Sequence, residues 1–431
     1  MRTHYCSEIV PALAGKRVKL AGWVHEIRDF GAVKFVLLRD RTGITQLTIK
    51  KEGADAALIE AAESLVKETA ICAEGVVEAK PVAKVGRELL ASKIEVVGRV
   101  LKQVPFEVTG KVPAEIDVRL DHRSIDLRRL ETRAVFKIRA EAAKAFRQAM
   151  MDLGCEEITP PCIVAESTEG GTNLFELKYF DRKAFLAQSP QLYKQLAVLG
   201  GFDQVFMTTP VFRAEKHNTT VHLNESTQMD CELGFAGEED ALSFLEKTII
   251  AVLAAVKKNC AAELALLKSD FAVPKSVPRF TYDEVLAALK KKKIAMEWGE
   301  DFSKEIEQKL GDVLGSELFF ITRWPTKTRA FYSMPLPEKP EICKAYDLVF
   351  KGLEIASGAQ RIHDPELLVK QLRFHDLAPE DFEPYVDAFR YGAVPHAGWS
   401  IGLERLAMRL ANRDNIRECA LFPRDRQRLT P

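Results

Sequence analysis

The period of the hydrophobic pattern changes near residue 130 of this 431-residue chain, and that change constrains the fold more than any other feature. Before it, apolar and polar residues alternate in short runs at 17–48, 70–79 and 89–97, as they do in β-strands. After it, apolar residues recur at helical spacing over 134–152, and longer apolar segments follow. The sequence therefore predicts two domains of different structural class.

Residues 1–103 are expected to form a small β-barrel. The alternating runs give five short strands, and a helical segment at 54–65 separates the third strand from the fourth. This is the arrangement of the OB fold, a five-stranded barrel that often binds oligonucleotides. Other small β-barrels fit the same pattern, so the pattern alone leaves the choice between them open.

Residues 130–431 are expected to form an α+β domain, and 104–129, which contain prolines, a glycine and a dense run of charges, are interpreted as a hinge. Helical spacing recurs at 243–267, beyond the first helical segment. Long loops separate the strand-like runs, which favours an antiparallel sheet flanked by helices. The strand-like runs lie at 184–187, 204–207, 226–235, 318–322 and 345–350.

Composition excludes several classes of protein. Lys plus Arg and Asp plus Glu both number 62, so any contact with nucleic acid must come from local patches and not from an overall positive charge. The longest apolar stretches fall well short of the ~20 residues that cross a bilayer, and the N-terminus has no apolar signal core. The eight cysteines form no CxxC pair, which favours free thiols in a reducing compartment. We therefore expect a cytoplasmic protein with no membrane partner.

The first motif suited to a nucleotide lies at 211–215. Arg213 can hold a phosphate through its planar guanidinium. Glu215, two positions on, is expected on the same face of the strand, where it could accept a hydrogen bond from an adenine amino group. A surface Arg–Glu pair explains the same two residues without any ligand.

The second motif consists of small residues that precede a helix near the end of the chain. Residues 397, 398, 400 and 402 are Ala, Gly, Ser and Gly, so a flat ligand could approach the backbone closely there. Arg405 is expected on the first turn of the helix, directed at the same ligand. Ordinary packing at a strand–helix joint is the alternative.

The third motif combines hard oxygen ligands with a cation. Glu354 and Ser357 could hold Mg²⁺, with water and phosphate oxygens completing the octahedron, and Arg361 supplies a further positive charge. Each of these features is ambiguous in isolation. The sequence contains no P-loop, no GxGxxG after a strand, no HExxH and no GxSxG, which removes the commonest nucleotide-binding and hydrolase classes.

Taken together, the motifs resemble those of class II aminoacyl-tRNA synthetases. Residues 212–215 resemble motif 2, 402–405 resemble motif 3, and 154–161 resemble motif 1, the dimer-interface element. The resemblance covers essentially the whole chain and implies a homodimer with Pro161 at the interface and an OB-fold domain that binds the anticodon. Further segments match the archaeal and eukaryotic type of the aspartyl-tRNA synthetase family, at 119–129, 168–172, 188–195, 357–364 and 421–431.

This resemblance implies a site for L-aspartate. Lys194 and Arg361 are expected to pair with the side-chain carboxylate, with Asp230 supporting Lys194 and Glu169 binding the α-ammonium group. Bound asparagine would then leave two buried cations unpaired, which is costly. The implied aspartate site comprises Glu169, Ser189, Gln191, Lys194, Arg213, Asp230, Ser357 and Arg361.

The resemblance also implies a site for ATP with Mg²⁺ as cofactor. Arg213 would neutralise the α-phosphate while the α-carboxylate of aspartate attacks it, and His222 and Arg405 would hold the γ-phosphate. The aspartyl-adenylate would then acylate the 3′ end of tRNA-Asp, so the site acts by positioning and charge stabilisation. The implied ATP site comprises Arg213, Glu215, His222, Leu223, Glu354, Gly402 and Arg405, and the implied metal ligands are Glu354, Ser357 and Asp347.

In the barrel, the resemblance implies that Phe35 stacks on the central anticodon base, Gln46 reads its edge and Arg28 contacts the first base. Without the resemblance, a core side chain is the simpler interpretation of Phe35. Two further positions, His25 and Lys84, resemble a switch that sets tRNA specificity, and they point in opposite directions. His25 favours relaxed specificity, in which tRNA-Asn is charged as well.

The chain departs from the family pattern near the nucleotide. Many relatives carry an aromatic residue that stacks on adenine, whereas Ser226 and Thr227 cannot supply one here. Val221 stands where an arginine often precedes the histidine, and Ala397 and Ser400 replace glycines of motif 3.

These departures keep two alternatives open. One is a synthetase-like tRNA-binding or regulatory protein that has lost amino-acid activation. The other is a tRNA-independent asparagine synthetase paralogue, which is disfavoured because such relatives lack the barrel expected at 1–103.

Overall fold

The computed structural model describes residues 2–79, 87–165, 174–215 and 219–431. The chain divides into two compact units, 1–133 together with Pro431, and 134–430. The expected hinge, 104–129, lies inside the first unit. Among the described residues, no helix combines the length and the apolar character needed to span a membrane.

The first unit is built around a closed barrel with the strand order β1-β2-β3-β5-β4. Its strands are β1 (Arg17–Asp29), β2 (Val33–Arg39), β3 (Ile44–Lys50), β4 (Ala70–Ala79) and β5 (Arg87–Gly98), and helix α1 (Ala56–Glu63) comes between β3 and β4 in the chain. Alternate residues of each strand face inward, as Val36 and Leu38 of β2 do, and both are fully buried. The predicted five-stranded barrel with one inserted helix is confirmed.

The segment after the barrel contains two short helices, α2 (Ile116–Asp121) and α3 (Arg123–Asp126). The buried carboxylate of Asp126 accepts hydrogen bonds from Arg119 Nε at 2.8 Å and Arg123 Nη1 at 2.6 Å. Because a carboxylate buried without partners would be strongly destabilising, these ion pairs hold the segment in one conformation.

The second unit is organised by an eight-stranded sheet with the order β12-β13-β16-β17-β18-β11-β10-β6. All pairings are antiparallel except β12–β13 and β10–β6 at the two edges. Two smaller sheets have the orders β14-β15 and β7-β9-β8. The strands are β6 (Glu156–Glu157), β7 (Ile163–Val164), β8 (Glu176–Tyr179), β9 (Arg182–Leu186), β10 (Gln204–Phe212), β11 (Glu225–Gly234), β12 (Arg279–Thr281), β13 (Leu318–Thr322), β14 (Pro335–Leu336), β15 (Lys339–Cys343), β16 (Ala345–Phe350), β17 (Glu354–Gln360) and β18 (His396–Gly402).

Helices cover one face of the large sheet. Trp399 of β18 packs edge-on against Phe146, with ring centroids 6.1 Å apart, and both belong to the same buried cluster as Ile401 and Leu245. The opposite face of β18 carries the small residues Gly398, Ser400 and Gly402, which leave space above the sheet. The helices from residue 130 onward are α4 (Leu130–Asp152), α5 (Gln191–Leu199), α6 (Glu238–Asn259), α7 (Ala261–Leu266), α8 (Tyr282–Lys291), α9 (Lys304–Leu314), α10 (Pro365–Phe374), α11 (Glu383–Arg390) and α12 (Leu403–Leu410). Of these, α5 lies on the open side of the sheet, where Lys194 contacts Asp230.

Three local expectations need correction. The helix expected over 243–267 is two helices, α6 and α7, with Cys260 in a non-helical conformation between them. Strand β10 ends at Phe212, so Arg213 and Glu215 do not lie on a strand. Ala397 faces the buried cluster and not the open side, because alternation along β18 places it beside Trp399.

Candidate functional site

A cavity of about 440 Å³ lies above the open face of the large sheet. Four polar residues, Asp347, Ser357, Ser400 and Asp230, are successive cross-strand neighbours on β16, β17, β18 and β11. Cross-strand neighbours point to the same face of a sheet, so this polar row lies on the open face, where Ser357 and Ser400 line the cavity. Ser400 Oγ donates a hydrogen bond to Asp230 Oδ2 at 3.1 Å.

A cluster of buried charges lies at one end of the row. Lys194 on α5 has no solvent exposure, and its Nζ is 2.8 Å from Asp230 Oδ1 and 3.4 Å from Glu232 Oε2. Arg361, just after β17, contacts the same Glu232 through Nε at 2.9 Å and Nη2 at 3.1 Å. The two cations therefore come from distant parts of the chain and meet at one carboxylate.

This pairing corrects the argument that asparagine would leave two cations unpaired. Asp230 and Glu232 already pair with Lys194 and Arg361, so the cluster contains two positive and two negative groups. Although burial favours the neutral acid, Arg361 and Lys194 hold the pKa of Glu232 below its usual value. Arg361 lines the cavity, whereas Lys194 is enclosed behind it.

Glu232 is the main functional candidate that the sequence analysis missed. It lies two residues after Asp230 on β11, and alternation places both carboxylates on the same face of the sheet, which is a signal present in the sequence. Gly398 lies opposite Glu232 on β18. A Cβ at position 398 would overlap the Glu232 carboxylate, so only glycine leaves that group in place.

Two expected aspartate-binding residues line the cavity near the start of α5, Ser189 two residues before the helix and Gln191 as its first residue. Ser189 Oγ accepts a hydrogen bond from the backbone N–H of Gln191 at 3.1 Å. Gln191 Nε2 donates to Gln195 Oε1 at 2.9 Å, which fixes the orientation of its amide. Glu169, the expected partner of the α-ammonium group, lies outside the described residues.

Arg213 and Glu215 line the cavity from the loop that follows β10. Asn224 holds this loop from both sides, because its backbone oxygen accepts from Arg213 N–H at 2.9 Å and its Nδ2 donates to the Arg213 oxygen at 2.7 Å. Asn224 therefore fixes the position of the Arg213 backbone, from which the side chain extends. It is a second positioning residue that the sequence analysis did not identify.

Arg405 lies on the first turn of α12, as predicted, and its guanidinium is held by three acceptors. It donates to the backbone oxygen of Glu354 at 3.2 Å, to the backbone oxygen of Val221 at 3.4 Å and to His222 Nε2 at 3.1 Å. Because an arginine only donates, His222 accepts through Nε2 and its Nδ1 donates to Thr219 Oγ1 at 2.7 Å. Burial and the nearby Arg405 lower the pKa of His222, so the imidazole is neutral.

The expected metal ligands divide into two groups. Glu354 and Ser357 both line the cavity and offer a carboxylate and a hydroxyl. Asp347 is buried, and both of its carboxylate oxygens accept from Arg329, at 3.1 and 2.6 Å. In the described part of the chain, no three His, Cys, Asp or Glu side chains are grouped so as to hold a metal ion. The residues present fit a Mg²⁺ ion that takes its remaining ligands from phosphate and water.

The remaining expected ATP-site residues, Leu223 and Gly402, line the same cavity, together with Ser226 and Gln228. The backbone N–H of Thr227 donates to Glu404 Oε2 at 2.9 Å, and this bond holds the backbone of β11 next to Ser226. Ser226, one of the two residues near which the family resemblance implies an aromatic ring, therefore lies in the cavity wall.

In the barrel, strand register brings the expected anticodon residues together. Arg28, Phe35 and Thr48 are cross-strand neighbours on β1, β2 and β3, and Gln46 lies two residues from Thr48 on the same face. Gln46 Nε2 donates to Glu88 Oε2 at 2.8 Å, so its amide orientation is fixed.

His25 lies at a bulge of β1, between the pairs that Val24 and Glu26 make with β2. Its Nδ1 accepts from Arg39 Nη1 at 2.8 Å, and Arg39 Nη2 in turn contacts both oxygens of Glu68. Lys84, the second position of the expected specificity switch, lies outside the described residues. In the second unit, Pro161, which is expected at the dimer interface, is exposed.

The comparisons with known proteins agree with this architecture. The family model described as OB-fold nucleic acid binding domain matches residues 18–97, and the model described as tRNA synthetases class II (D, K and N) matches residues 115–426. The barrel, the antiparallel sheet and the arginine-lined cavity thus define a class II aminoacyl-tRNA synthetase.

Individual relatives narrow the assignment. The aspartate–tRNA(Asp/Asn) ligase of Methanococcus vannielii is 46% identical over 431 residues, which is 100% of this chain and 98% of that protein. The aspartate–tRNA(Asp) ligase of Pyrococcus furiosus is 46% identical over 437 residues and 100% of both chains. The crystal structure of asparaginyl-tRNA synthetase from Pyrococcus horikoshii, complexed with asparaginyl-adenylate, matches with a TM-score of 0.94 at 33% identity over 99% of each chain. The chain belongs to the aspartate–tRNA ligase family within this class.

Proposed function

We propose that the enzyme activates L-aspartate with ATP and transfers the aspartyl group to the 3′ end of tRNA-Asp, and that it also charges tRNA-Asn. The observation that carries the amino-acid assignment is the orientation of Arg361, which Glu232 fixes through two of its three nitrogens. The third, Nη1, has no hydrogen-bond partner among the described residues, and Arg361 lines the cavity.

The aspartate end of the cavity selects a carboxylate through this remaining donor. The side-chain carboxylate of aspartate would accept a hydrogen bond from Arg361 Nη1. The charges around it are already balanced, because Lys194 pairs with Glu232 on the side away from the cavity. Asparagine would offer this donor only a neutral amide oxygen, so the hydrogen bond would lose its charge-assisted character. Hydrogen bonds to an ionised acceptor are roughly twice as strong as those between neutral groups.

The nucleotide end of the cavity carries the other cations. Arg213 would bind the α-phosphate, and Arg405, whose guanidinium is oriented by neutral His222, would hold the γ-phosphate near the start of α12. The α-carboxylate oxygen of aspartate attacks the α-phosphorus and pyrophosphate leaves. A ribose hydroxyl of the terminal adenosine of tRNA then attacks the aspartyl carbonyl, and AMP leaves. These residues act by orienting both reactants and by stabilising the charge that develops on the phosphoryl oxygens.

Mg²⁺ is part of the proposal as a cofactor of ATP. Glu354 and Ser357 would hold it, and the ion would neutralise and orient the phosphates. Asp347 would contribute indirectly, since Arg329 already binds its carboxylate. The homodimer with Pro161 at its interface and the cytoplasmic location expected from the sequence belong to the same proposal.

Aspartate-dependent exchange of pyrophosphate into ATP tests the activation step. We expect exchange with L-aspartate and Mg²⁺ and at least a hundredfold lower kcat/KM with L-asparagine. Arg361→Lys keeps the charge but cannot make the bidentate pair, and it should raise KM for aspartate more than KM for ATP. Folded protein that gives no exchange would support the tRNA-binding alternative and overturn the proposal.

Charging purified tRNA-Asp and tRNA-Asn in parallel tests the tRNA assignment. We expect both to be aminoacylated with aspartate, at rates within the same order of magnitude. A protein that charges tRNA-Asp alone would refute the relaxed specificity and leave the activation step intact.

A further inference from the structure

One exposed aromatic residue on the barrel is not used by the sites described above. Phe30 lies between β1 and β2, and 69% of its surface is accessible to solvent. Its ring meets Phe35 of β2 edge to face, with centroids 5.8 Å apart and an interplanar angle of 70°. The two phenyl rings therefore meet at one edge of the face that carries Arg28 and Gln46.

The loop that carries Phe30 is held by its own hydrogen bonds. Asp29 Oδ1 accepts from the backbone N–H of Gly31 at 3.0 Å, and Phe30 N–H donates to the Val33 oxygen at 3.0 Å. Gly31 has φ +76°, a conformation that glycine adopts at little cost. Asp29 also pairs with Lys34, at 3.3 Å. The exposed ring is thus positioned before any ligand arrives.

The location of Phe30 points to a nucleic-acid base as its partner. In OB folds the face of strands 2 and 3 and the loop between strands 1 and 2 bind oligonucleotides. Phe30 lies in that loop, and the exposed Arg28 beside it can contact a phosphate. An aromatic ring presented next to a cation on such a face is suited to stacking on an unpaired base.

We propose that Phe30 forms a second stacking platform for an unpaired base of the tRNA anticodon loop, adjacent to the platform at Phe35. The inference rests on the proposed function, since it requires that the barrel bind tRNA. Because the two rings are inclined at 70° to each other, two bases stacked on them would lie in different planes. The anticodon loop would therefore have to unstack these two bases in order to bind.

Substitutions that separate ring stacking from apolar packing test this proposal. Phe30→Leu keeps an apolar contact with Phe35 but removes the aromatic face, and Phe30→Tyr keeps both. We expect Phe30→Leu to raise KM for tRNA about tenfold, in the range of one lost stacked base, and Phe30→Tyr to stay within about twofold of wild type. Phe235→Leu is the matched control, because Phe235 is 75% exposed but lies in the second unit.

A second measurement identifies the base. tRNA transcripts that lack a single base at each anticodon-loop position are charged by wild type and by Phe30→Leu. At one position the two losses should not add, because the same contact is removed twice. Additive losses at every position, or a Phe30→Leu enzyme with the wild-type KM for tRNA, would refute the platform. Aspartate-dependent exchange should be unchanged in all barrel variants. Loss of charging by the wild type itself would refute the proposed function instead.

Discussion

Arg361 and Glu232 face each other through two parallel hydrogen bonds, Nε to Oε1 at 2.9 Å and Nη2 to Oε2 at 3.1 Å, and both side chains are almost completely buried. A planar guanidinium held in this way has its third nitrogen directed along a fixed line. The direction of the donor that we propose binds the substrate is therefore set by an acid that does not itself need to touch substrate.

Replacing Glu232 tests this relationship. Glu232→Gln removes one of the two acceptor oxygens that orient Arg361, because the amide nitrogen of glutamine donates and cannot accept. Since a misplacement of about 1 Å can cost roughly 100-fold in rate, we expect kcat/KM for aspartate in the exchange reaction to fall by about 100-fold, mainly through KM for aspartate. Glu366→Gln, at an exposed position of α10, is the matched control. An unchanged KM for aspartate in folded Glu232→Gln protein would show that Glu232 has no positioning role.

Gly398 should tolerate no side chain. In Gly398→Ala the new methyl would overlap both the Glu232 carboxylate and the Cys231 backbone oxygen, so the strand must shift. We expect a loss of ~2–3 kcal/mol in the free energy of unfolding, as for other overpacked cores. Gly402→Ala is the control, since a Cβ there lies 3.8 Å from Arg405 side-chain atoms and makes only ordinary contacts. Equal stability of the two variants by urea denaturation would contradict this account.

The wall beside Ser226 should accept an aromatic ring. Ser226 lines the cavity, and the family resemblance implies an adenine-stacking residue near Ser226 and Thr227. Ser226→Phe would supply a ring face worth roughly 0.5–1.5 kcal/mol, so KM for ATP should fall about three- to tenfold. Ser226→Val adds bulk without a ring and should leave KM for ATP unchanged or raise it. Exchange kinetics at varied ATP decide the matter, and a higher KM in Ser226→Phe would place adenine elsewhere.

Stability should decrease as pH rises, because of Glu238. Its side chain is 5% exposed, one carboxylate oxygen has no partner in the described structure, and burial raises its pKa to about 7 despite Arg323. Because the folded pKa exceeds the unfolded value, the folded state binds more protons between about pH 4.5 and 7, and stability falls across that window. Glu238→Gln should remove about 2–3 kcal/mol of this loss. Urea denaturation at pH 5 and pH 8 measures it, and parallel changes in wild type and variant would refute the assignment.

The imidazole at His25 should influence the choice of tRNA. Arg39 donates to its Nδ1, so the imidazole is held against the bulge of β1 with Nε2 on the other side. His25→Trp removes this acceptor and adds bulk. We expect the rate ratio of tRNA-Asn to tRNA-Asp charging to fall by about fivefold or more. His4→Trp, in the same unit, is the control. An unchanged ratio in His25→Trp would show that position 25 does not set specificity.

The sequence predicted those parts of the structure that depend on local pattern. Strict alternation predicted the barrel strands, and the small residues of the second motif, which precede a helix, predicted Arg405 on the first turn of α12. Glu232 was missed because its importance comes from Lys194 and Arg361, which are distant in the chain and meet it only in the folded sheet.

The wrong expectations share a different cause. Apolar spacing continues through Cys260, so nothing in the periodicity marks the end of α6. Likewise, β10 ends at Phe212, and the side chain of Asn224 binds the backbone oxygen of the next residue, Arg213. The sequence of β10 itself does not contain this contact.

The polar row of Asp347, Ser357, Ser400 and Asp230 ties catalytic competence to strand alignment. A slip of β18 by one residue would replace Ser400 with Trp399 or Ile401 and fill the cavity with bulky side chains. A misaligned sheet therefore cannot retain a weakened version of the reaction. For this enzyme, the specific activity of a refolded sample reports directly on the fraction of molecules whose central strands have found their correct partners.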